Sequence, residues 1–380
     1  MEYRQYKDTG IKTSLLGMGC MRLPSAGPGF GIDFEKSQEI IDYAYQHGVN
    51  YFDSAYVYNN GESEKVMGKV LSKYPRDTYM LATKLPNMRC SSRDEVLSIF
   101  NEQLERLGTD YIDFYLCHNL SKNSYAAFTE PHVVSTLLEL KAEGKIRHLG
   151  FSSHADLETL EKFLGHNAWD FAQMQLNYLD WDGNQNARRQ YEILTEHNVP
   201  VMVMEPVRGG RLASINEEAD KMMKEYAPER SIASWAIRFA ASLPNVQVVL
   251  SGMTTMDHVI DNVATMSPFV PVNEQEKKIL EKAVEMLLSQ VQVPCTQCRY
   301  CVDDCPAELN IPELIAIFNE YSISKHFMSL MALRELPEEK QPDKCQVCRE
   351  CVNRCPQEIE IPDVLEKLAE ATRPPAGGRR

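Results

Sequence analysis

Residues 49–64 read VNYFDSAYVYNNGESE, and this stretch decides the fold because it passes from a strand into a helix. Its apolar start at Val49–Phe52 predicts a buried strand, and the polar residues after Gly61 predict the beginning of a helix. Similar passages recur up to about residue 265, as expected for repeated βα units. The other strands are predicted at Ser14–Gly17, Thr78–Ala82, Tyr111–Cys117, Ile146–Phe151, Phe171–Leu176, Val199–Met204 and Val246–Leu250.

Helical patterns separate these strands. They lie at Ser37–His47, Arg93–Leu107, Val133–Glu143, Leu157–Leu164, Asn186–Glu196 and Ser231–Ala241. Eight βα units over about 260 residues favour an α/β fold, a closed (β/α)8 TIM barrel, over an open doubly wound sheet. Tyr3–Tyr6 and the turn at residues 8–10 predict a hairpin that closes the bottom of the barrel. In such a barrel, functional residues lie just after the C-terminal ends of the strands.

The composition describes a globular chain. The 380 residues are 43% hydrophobic and 25% charged, with a formal net charge of −14. This acidity argues against nucleic acid as a partner, because nucleic-acid binders carry basic surfaces. The N-terminus has no basic start followed by an apolar run, and no stretch reaches the roughly 20 apolar residues that span a bilayer. We therefore predict a cytoplasmic protein with no membrane span.

The cysteines predict a metal-binding region after the barrel. Eight of the eleven lie between residues 295 and 355, in two copies of one pattern. Residues 295–313 read CTQCRYCVDDCPAELNIPE, and residues 345–363 read CQVCRECVNRCPQEIEIPD. The shared C-x2-C-x2-C-x3-C-P spacing is typical of bacterial ferredoxins with [4Fe–4S] clusters. Structural zinc normally uses two separated ligand pairs, and disulfides do not suit a reducing cytosol, so neither alternative fits.

In this spacing, the fourth cysteine of each copy usually ligates the cluster of the other copy. The predicted ligand sets are therefore Cys295, Cys298, Cys301 and Cys355 for one cluster, and Cys345, Cys348, Cys351 and Cys305 for the other. Helical patterns at Ile311–Glu320 and Ser324–Leu333, with helix starts near Pro312 and Pro362, make the module resemble the α-helical ferredoxin type.

Four segments are predicted in all. They are a barrel over 1–270, a connecting helix over 271–290, a small, mainly helical ferredoxin-type iron–sulfur domain with two [4Fe–4S] clusters over 291–372, and a loose tail over 373–380. The connecting segment contains Asn273–Leu288, where an asparagine cap, early acids and helical spacing indicate a helix.

Four polar residues lie where a barrel carries its functional groups. Asp53 and Tyr58 follow the second strand, Lys84 ends the third, and His118 ends the fourth. The pattern F-D-S-A-x-x-Y, then T-K, then a strand ending in L-x-H, resembles the aldo-keto reductase family over roughly residues 3–265. The resemblance implies that these four residues are the catalytic tetrad of an NAD(P)H-dependent carbonyl reductase.

Carbonyl reduction explains these residue types, although each residue taken singly could be structural. Hydride addition leaves an alkoxide that needs a proton, and a free tyrosine, with a pKa of about 10, holds its proton firmly. We expect Lys84 to lower the pKa of Tyr58, and Asp53 to hold Lys84 by an ion pair. His118 would orient the carbonyl oxygen.

The same resemblance implies the residues that bind the nicotinamide cofactor. They are Ser152, Ser153, Gln173, Met204, Arg208, Gly210, Ser251, Gly252, Thr254, His258 and Asn262. Ser152, Ser153 and Gln173 would hold the carboxamide, and Met204 would cover the ring face.

The cofactor could be NADH or NADPH. NADPH-selective members of the family commonly carry a lysine and an arginine at the positions of Gly252 and His258. The absence of these two cations favours NADH or use of both cofactors. Arg208 and Arg211 could compensate for the missing charges.

Two residues after the first strand lie beside the expected substrate pocket. Arg22 could meet a substrate carboxylate, although an arginine on the rim is more often a solvated or cofactor contact. Cys20 could line the pocket, whereas Cys117 alternates away from His118 and is predicted to lie in the core.

Three functions remain open from the sequence. The first is a reductase of a small-molecule carbonyl whose clusters exchange electrons with a redox partner protein. The second is a nicotinamide-binding electron carrier or redox sensor with little turnover, and the third is a reductase with structural clusters. Hydride carries two electrons and a cubane cluster accepts one, so direct coupling normally needs a flavin. The sequence shows no flavin motif, but barrel loops can bind flavin phosphates without one.

Overall fold

The computed structural model describes residues 1–27, 31–87, 90–183, 186–289, 292–293, 295, 299, 301–302, 305–324, 327–355 and 357–372. The chain divides into two compact units, Met1–Glu281 and Lys282–Arg380. The predicted ligand Cys298 and the predicted tail over 373–380 lie outside the described residues.

The first unit contains a hairpin and a closed barrel of eight parallel strands. The hairpin strands are β1 (Tyr3–Gln5) and β2 (Lys12–Ser14). The barrel strands are β3 (Leu16–Gly19), β4 (Tyr51–Asp53), β5 (Met80–Pro86), β6 (Ile112–Leu120), β7 (Ile146–Ser153), β8 (Phe171–Gln175), β9 (Val201–Met204) and β10 (Val246–Ser251). Because β10 pairs with β3, the sheet closes and confirms the predicted (β/α)8 barrel.

Helices follow the strands around the barrel. They are α1 (Phe34–Gln46), α2 (Glu62–Leu71), α3 (Arg93–Leu107), α4 (Tyr125–Thr129), α5 (Pro131–Ala142), α6 (Leu157–Leu164), α7 (Ala187–Glu196), α8 (Glu217–Tyr226), α9 (Ile232–Ala241), α10 (Met256–Thr265) and α11 (Glu274–Leu288). Each predicted barrel helix overlaps one of these. Helix α8 was not predicted. It buries only Ala219 and Met223, so few apolar residues mark its buried face in the sequence.

Tyr6 closes the bottom of the barrel interior. Its side chain is fully buried against Tyr51, Phe114 and Phe171, which point inward from three strands. Its hydroxyl donates to the carbonyl oxygen of Asp170 at 2.8 Å, just before β8 begins. The predicted hairpin therefore lies at the N-terminal end of the barrel, opposite the rim that carries functional residues.

Helix α11 begins with a reciprocal cap. The backbone N–H of Glu276 donates to Asn273 Oδ1 at 2.9 Å, and the N–H of Asn273 donates to Glu276 Oε2 at 2.9 Å. Glu276 also forms buried ion pairs with Arg238, at 2.9 Å, and with Arg230. These contacts fasten the start of the predicted connecting helix to α9.

The second unit repeats its backbone conformation as well as its sequence. Arg299 and Arg349 have φ values of 67° and 65°, and Glu308 and Glu358 have values of 49° and 52°. Left-handed conformations are uncommon outside glycine, so their recurrence at corresponding positions shows a structural repeat. The helices of this unit are α12 (Ile311–Ser324), α13 (Glu350–Asn353) and α14 (Ile361–Thr372), which agrees with the mainly helical domain predicted.

One predicted helix of this unit has a different form. The predicted stretch Ser324–Leu333 is replaced largely by a 3-10 segment over Phe327–Glu335. Its buried residues Leu330 and Leu333 are three positions apart, which is one turn of a 3-10 helix. Among all helices in the described parts of the chain, none is long and apolar enough to cross a membrane.

Candidate active site and cysteine sites

The four predicted tetrad residues come together at the C-terminal rim of the barrel. Asp53 is the last residue of β4, Lys84 lies in β5, and His118 lies near the end of β6. Tyr58 follows β4 in a short 3-10 segment at Tyr58–Gly61. Three neighbouring strands therefore hold the site.

A left-handed turn presents Tyr58. Asn59, Asn60 and Gly61 have φ values of 49°, 56° and 87°, and α2 begins immediately afterwards. Asparagine tolerates this conformation because its short side chain bonds locally, and glycine because it has no Cβ. Asn59 Nδ2 donates to the carbonyl oxygen of Met21 at 3.3 Å, which ties the turn to the segment after β3.

Lys84 is the centre of the site. Its side chain is 1% exposed, and its Nζ donates to Asp53 Oδ1 at 2.6 Å and to the carbonyl oxygen of Ser54 at 2.5 Å. The same ammonium lies 4.8 Å from the centroid of the Tyr58 ring. A buried cation next to the phenol is therefore held in place by a carboxylate, as predicted for Asp53.

The protonation of these groups follows from burial and charge. Burial lowers the pKa of Lys84, but the charges of Asp53 and Tyr58 outweigh it, and the net pKa is raised. For Tyr58, burial raises the pKa and Lys84 lowers it, and burial is the larger effect. The expected net decrease is therefore not found. Lys84 stays charged at neutral pH, and Tyr58 keeps its proton.

His118 faces Tyr58 with its imidazole ring. The two ring centroids are 5.7 Å apart, at an interplanar angle of 80°. Burial, followed by the charge of Lys84, lowers the pKa of His118 to about 3. The imidazole is therefore neutral at physiological pH, where it can donate one hydrogen bond without adding a positive charge.

The predicted carboxamide-binding residues lie on β7 and β8, the two strands that follow β6 in the barrel. Ser152 and Ser153 end β7, and Gln173 lies in β8, each 2% exposed. Ser152 Oγ accepts from the N–H of Asn119 at 2.8 Å. Gln173 Oε1 is buried and has no hydrogen-bond partner among the described residues. An unsatisfied buried carbonyl oxygen fits the amide N–H of a nicotinamide carboxamide.

The loop after β9 contains a left-handed turn and an arginine that forms an ion pair. Met204 is the last residue of β9, and Gly210 adopts a φ of 100° in a 3-10 segment over Arg208–Ala213. Arg208 pairs with the buried carboxylate of Asp180 at 3.0 Å, so its charge is already compensated.

The remaining residues predicted to bind the cofactor lie at β10 and the start of α10. Ser251 Oγ accepts from Asn262 Nδ2 at 2.9 Å, and both side chains are buried. Thr254 Oγ1 donates to the carbonyl oxygen of Arg22 at 2.9 Å. Gly252 lies between them, and His258 is in the first turn of α10. Of the two residues predicted near the substrate, Arg22 thus contacts this loop.

The two buried cysteines near the site are part of the core. Cys20 is fully buried, and its burial raises the pKa of its thiol. Cys117 is buried in the same core, as predicted.

A buried polar cluster behind Lys84 was not predicted. Glu64 is fully buried and accepts from Thr83 Oγ1 at 2.5 Å, Gln103 Nε2 at 2.8 Å and Arg106 Nη1 at 3.1 Å. Gln103 also donates to the carbonyl oxygen of Lys84 at 3.1 Å. The helical spacing of α2 and α3 placed Glu64 and Gln103 on their elements, but it could not show that they meet.

The cysteines of the second unit line two cavities. One cavity is lined by Cys295, Cys301 and Cys355, and the other by Cys305, Cys345, Cys348 and Cys351. These are seven of the eight predicted ligands, in the two predicted groups, and each cavity takes thiols from both repeats.

The two cavities are equivalent under the repeat. Each residue lining the first has a counterpart from the other repeat lining the second, as illustrated by Arg299 with Arg349 and Pro312 with Pro362. Gln357 and Ala307 are the pair that differs most in chemistry. An approximate twofold repetition of this kind suits two similar ligands.

The described thiols of the second unit line cavities and are not gathered around a single point. Over the described ranges, no three His, Cys, Asp or Glu side chains are gathered closely enough to hold one metal ion. The thiols instead surround cavities, as a cubane with four irons requires.

Two family models match the chain. The family model described as Aldo/keto reductase family matches residues 15–285. The chain belongs to the aldo/keto reductase family. A second model, 4Fe-4S dicluster domain, matches residues 294–360, so this aldo/keto reductase also carries an iron–sulfur domain. The family and the homologues named reductases support an NAD(P)H-dependent oxidoreductase.

Three similar proteins each match about three quarters of this chain. Versiconal hemiacetal acetate reductase of Aspergillus parasiticus is 27% identical over 340 residues, covering 74% of this chain and 96% of its own length. NADH-specific methylglyoxal reductase of Escherichia coli is 25% identical, covering 73% and 97%. The solved structure of aldo-keto reductase AKR11C1 from Bacillus halodurans, in its holo form, has a TM-score of 0.62 at 28% identity, covering 74% and 96%.

Proposed function

We propose that this aldo/keto reductase reduces the carbonyl group of a small aldehyde or ketone, with Tyr58 as the proton donor. The observation that carries the proposal is the buried Lys84 between the Asp53 carboxylate and the Tyr58 ring, with His118 facing the same phenol. A phenol beside a fixed cation can release its proton and leave a stabilised tyrosinate.

Each tetrad residue has a separate task. A bound reduced nicotinamide supplies the hydride that reaches the carbonyl carbon. Tyr58 gives its hydroxyl proton to the carbonyl oxygen, and Lys84 stabilises the phenolate that remains. Neutral His118 donates a hydrogen bond to the same oxygen and orients it.

NADH suits the cofactor residues better than NADPH. Gln173 Oε1 would accept from the carboxamide, with Ser152 and Ser153 beside it. The first turn of α10 carries Asp257, and Arg208 is already paired with Asp180. An acid there disfavours a 2′-phosphate, which supports NADH or use of both cofactors.

Replacing Tyr58 by phenylalanine tests the catalytic proposal. Because the change removes the hydroxyl and keeps the ring, we expect kcat for reduction of 4-nitrobenzaldehyde to fall about 10²- to 10⁴-fold, with the Kd for NADH unchanged. Stopped-assay rates and calorimetric titration measure the two quantities.

Tyr45→Phe is the matched control. Tyr45 lies on α1, and its hydroxyl hydrogen-bonds Thr78 before β5, at the opposite end of the barrel. It should keep full activity. Turnover in Tyr58→Phe equal to that of the control would contradict the assignment of the proton donor.

We further propose that the second unit holds two [4Fe–4S] clusters and exchanges single electrons with a redox partner protein. The interleaved cavities support this ligand arrangement, with Cys298 as the counterpart of Cys348 completing the first set. The role of the protein is to hold both clusters by thiolates from both repeats. This ties the two halves of the unit together.

Iron and sulfide analysis tests the number of clusters. Anaerobically purified protein should contain about eight iron and eight sulfide per chain, which is two cubanes. Because Cys355 is predicted to serve the cluster of the first repeat, Cys355→Ser should lose iron from the site of Cys295 and leave the other site loaded. A wild-type content near four would contradict the two-cluster proposal.

A further inference from the structure

Arg22 joins two loops at the rim of the barrel. It ends the 3-10 turn Cys20–Arg22 that follows β3. Its carbonyl oxygen accepts from Thr254 Oγ1 at 2.9 Å, which fixes its backbone to the loop after β10. The side chain therefore starts from an anchored position.

The side chain extends from one glycine to another. A Cβ placed on Gly252 would lie 3.3 Å from the Cβ and the Cδ of Arg22, so the stem of the arginine covers Gly252. A Cβ placed on Gly209 would lie 3.4 Å from Arg22 Nη2, so the guanidinium reaches the turn after β9. Glycine at both positions leaves the space that the arginine occupies.

The guanidinium groups of Arg22 and Arg208 differ in whether they form an ion pair. Arg208 is bound to Asp180 at 3.0 Å. In the part of the chain that the structure describes, the guanidinium of Arg22 has neither a hydrogen-bond nor an ion-pair partner within 4.0 Å. The carboxylate of Glu205 is near the same turn, 3.7 Å from a Cβ on Gly209. The N–H groups of the Arg22 guanidinium therefore have no partner among the described residues, and they face the loops after β9 and β10.

The turn after β9 allows a close approach to this fork. Gly209 and Gly210 have φ values of 66° and 100°, and a Cβ on Gly210 would meet no atom within 4 Å. The N–H of Gly210 already donates to the carbonyl oxygen of Val207 at 3.1 Å, and the turn leaves open space beside its backbone for an anion. A phosphate between the turn and Gly252 would meet the backbone on one side and a guanidinium on the other.

We propose that Arg22 binds the pyrophosphate of the nicotinamide cofactor and is not a substrate ligand. The inference rests on the proposed function, since it assumes that the barrel binds NADH or NADPH. A guanidinium matches phosphate oxygens by two parallel hydrogen bonds, and it also offsets the charge that Glu205 brings to the site.

Calorimetric titration of the anaerobic holoprotein with NADH and with NADPH tests the proposal. Arg22→Gln should weaken both cofactors by the same factor, about ten- to a hundredfold, because both carry the pyrophosphate. Arg22→Lys keeps the charge but loses the fork, and it should recover part of the loss. At saturating cofactor, the KM for 4-nitrobenzaldehyde should stay unchanged.

Arg93→Gln is the matched control, because Arg93 on α3 forms an exposed ion pair with Glu139 on α5. It should bind both cofactors as the wild type does. If Arg22→Gln does not fold, Gly252→Ala tests the same contact, since its new methyl group would press on the stem of Arg22 at 3.3 Å.

Three outcomes would overturn the proposal. They are unchanged Kd values in Arg22→Gln, a loss confined to NADPH, which would assign Arg22 to the 2′-phosphate, and a raised KM confined to 4-carboxybenzaldehyde, which would assign it to a substrate carboxylate. A wild-type protein that binds neither cofactor would instead remove the proposed function on which the inference depends. The two failures are therefore distinguishable.

Discussion

Lys84 and Tyr58 show how burial changes the chemistry of single residues. From the sequence, Lys84 was expected to lower the pKa of Tyr58, and its charge does act in that direction. Burial of the phenol is the larger effect, so the hydroxyl stays protonated through the neutral range. In the proposed mechanism, Lys84 therefore stabilises the phenolate as the proton leaves, and it does not prepare a tyrosinate beforehand.

The neutral state of His118 leads to a pH prediction. Its pKa is lowered to about 3, so only about one imidazole in a hundred is protonated at pH 5. The pKa of Tyr58 is raised, so the donor keeps its proton as the pH rises through 9. We expect the pH profile of kcat/KM for aldehyde reduction to stay flat between pH 5 and 9.

His118→Gln is the informative comparison for this profile. Glutamine can donate a hydrogen bond but cannot titrate, so the variant should lower the rate without changing the shape of the profile. An acidic limb near pH 6.5 that disappears in His118→Gln would contradict the neutral assignment.

The sequence predicted the residues of the tetrad, but it did not predict the buried polar cluster behind Lys84. Asp53, Lys84 and His118 lie at or near the C-terminal ends of three strands, and the barrel brings these ends to one rim. The contacts between Glu64 and Gln103 depend on the angle at which α2 packs on α3, which no spacing within either helix determines. Residues on strand ends were therefore predictable, and partners across helices were not.

At the scale of elements, the turn between β4 and α2 controls the position of Tyr58. Gly61 has a φ of 87°, and a Cβ there would lie 2.8 Å from Arg106 Nη1. Arg106 cannot move freely, because it pairs with Glu64 at 3.1 Å and with Glu102 at 2.6 Å. A side chain at Gly61 would push the turn away from the rim.

Gly61→Ala tests this positioning, with Gly10→Ala as its control. Both glycines are left-handed, at 87° and 79°, so both substitutions carry a strain of about 1–2 kcal/mol. A Cβ on Gly10 would meet no atom within 4 Å. We expect kcat to fall at least about tenfold in Gly61→Ala alone, because a small displacement of a catalytic group is costly. Equal kcat values in the two variants would contradict the positioning role.

Element boundaries were predictable where capping residues mark them. Helix α3 was predicted at its observed bounds, since Ser92 caps its start and Gly108 ends it in a left-handed conformation. Helix α8 was missed because few of its residues are buried. The stretch Ser324–Leu333 was predicted as an α-helix, although most of it forms the 3-10 segment Phe327–Glu335, because 3-10 and α patterns share the three-residue spacing of Leu330 and Leu333.

The whole molecule combines an aldo/keto reductase barrel and an iron–sulfur domain in one chain. The barrel provides a buried acid–base site suited to a two-electron hydride, and the second unit provides two thiol-lined cavities suited to one-electron clusters. Both units were predictable because their motifs are local and their spacings specific. We propose that the carbonyl is reduced directly in the barrel, whatever partner the clusters serve.

Isotope transfer tests this central claim most directly. The anaerobic holoprotein would reduce 4-nitrobenzaldehyde with NADH that carries two deuterium atoms at C4, and mass spectrometry would weigh the alcohol. Direct transfer predicts one deuterium on the carbinol carbon of every product molecule. An alcohol without deuterium would mean that electrons arrived singly with protons from water, and it would contradict the account.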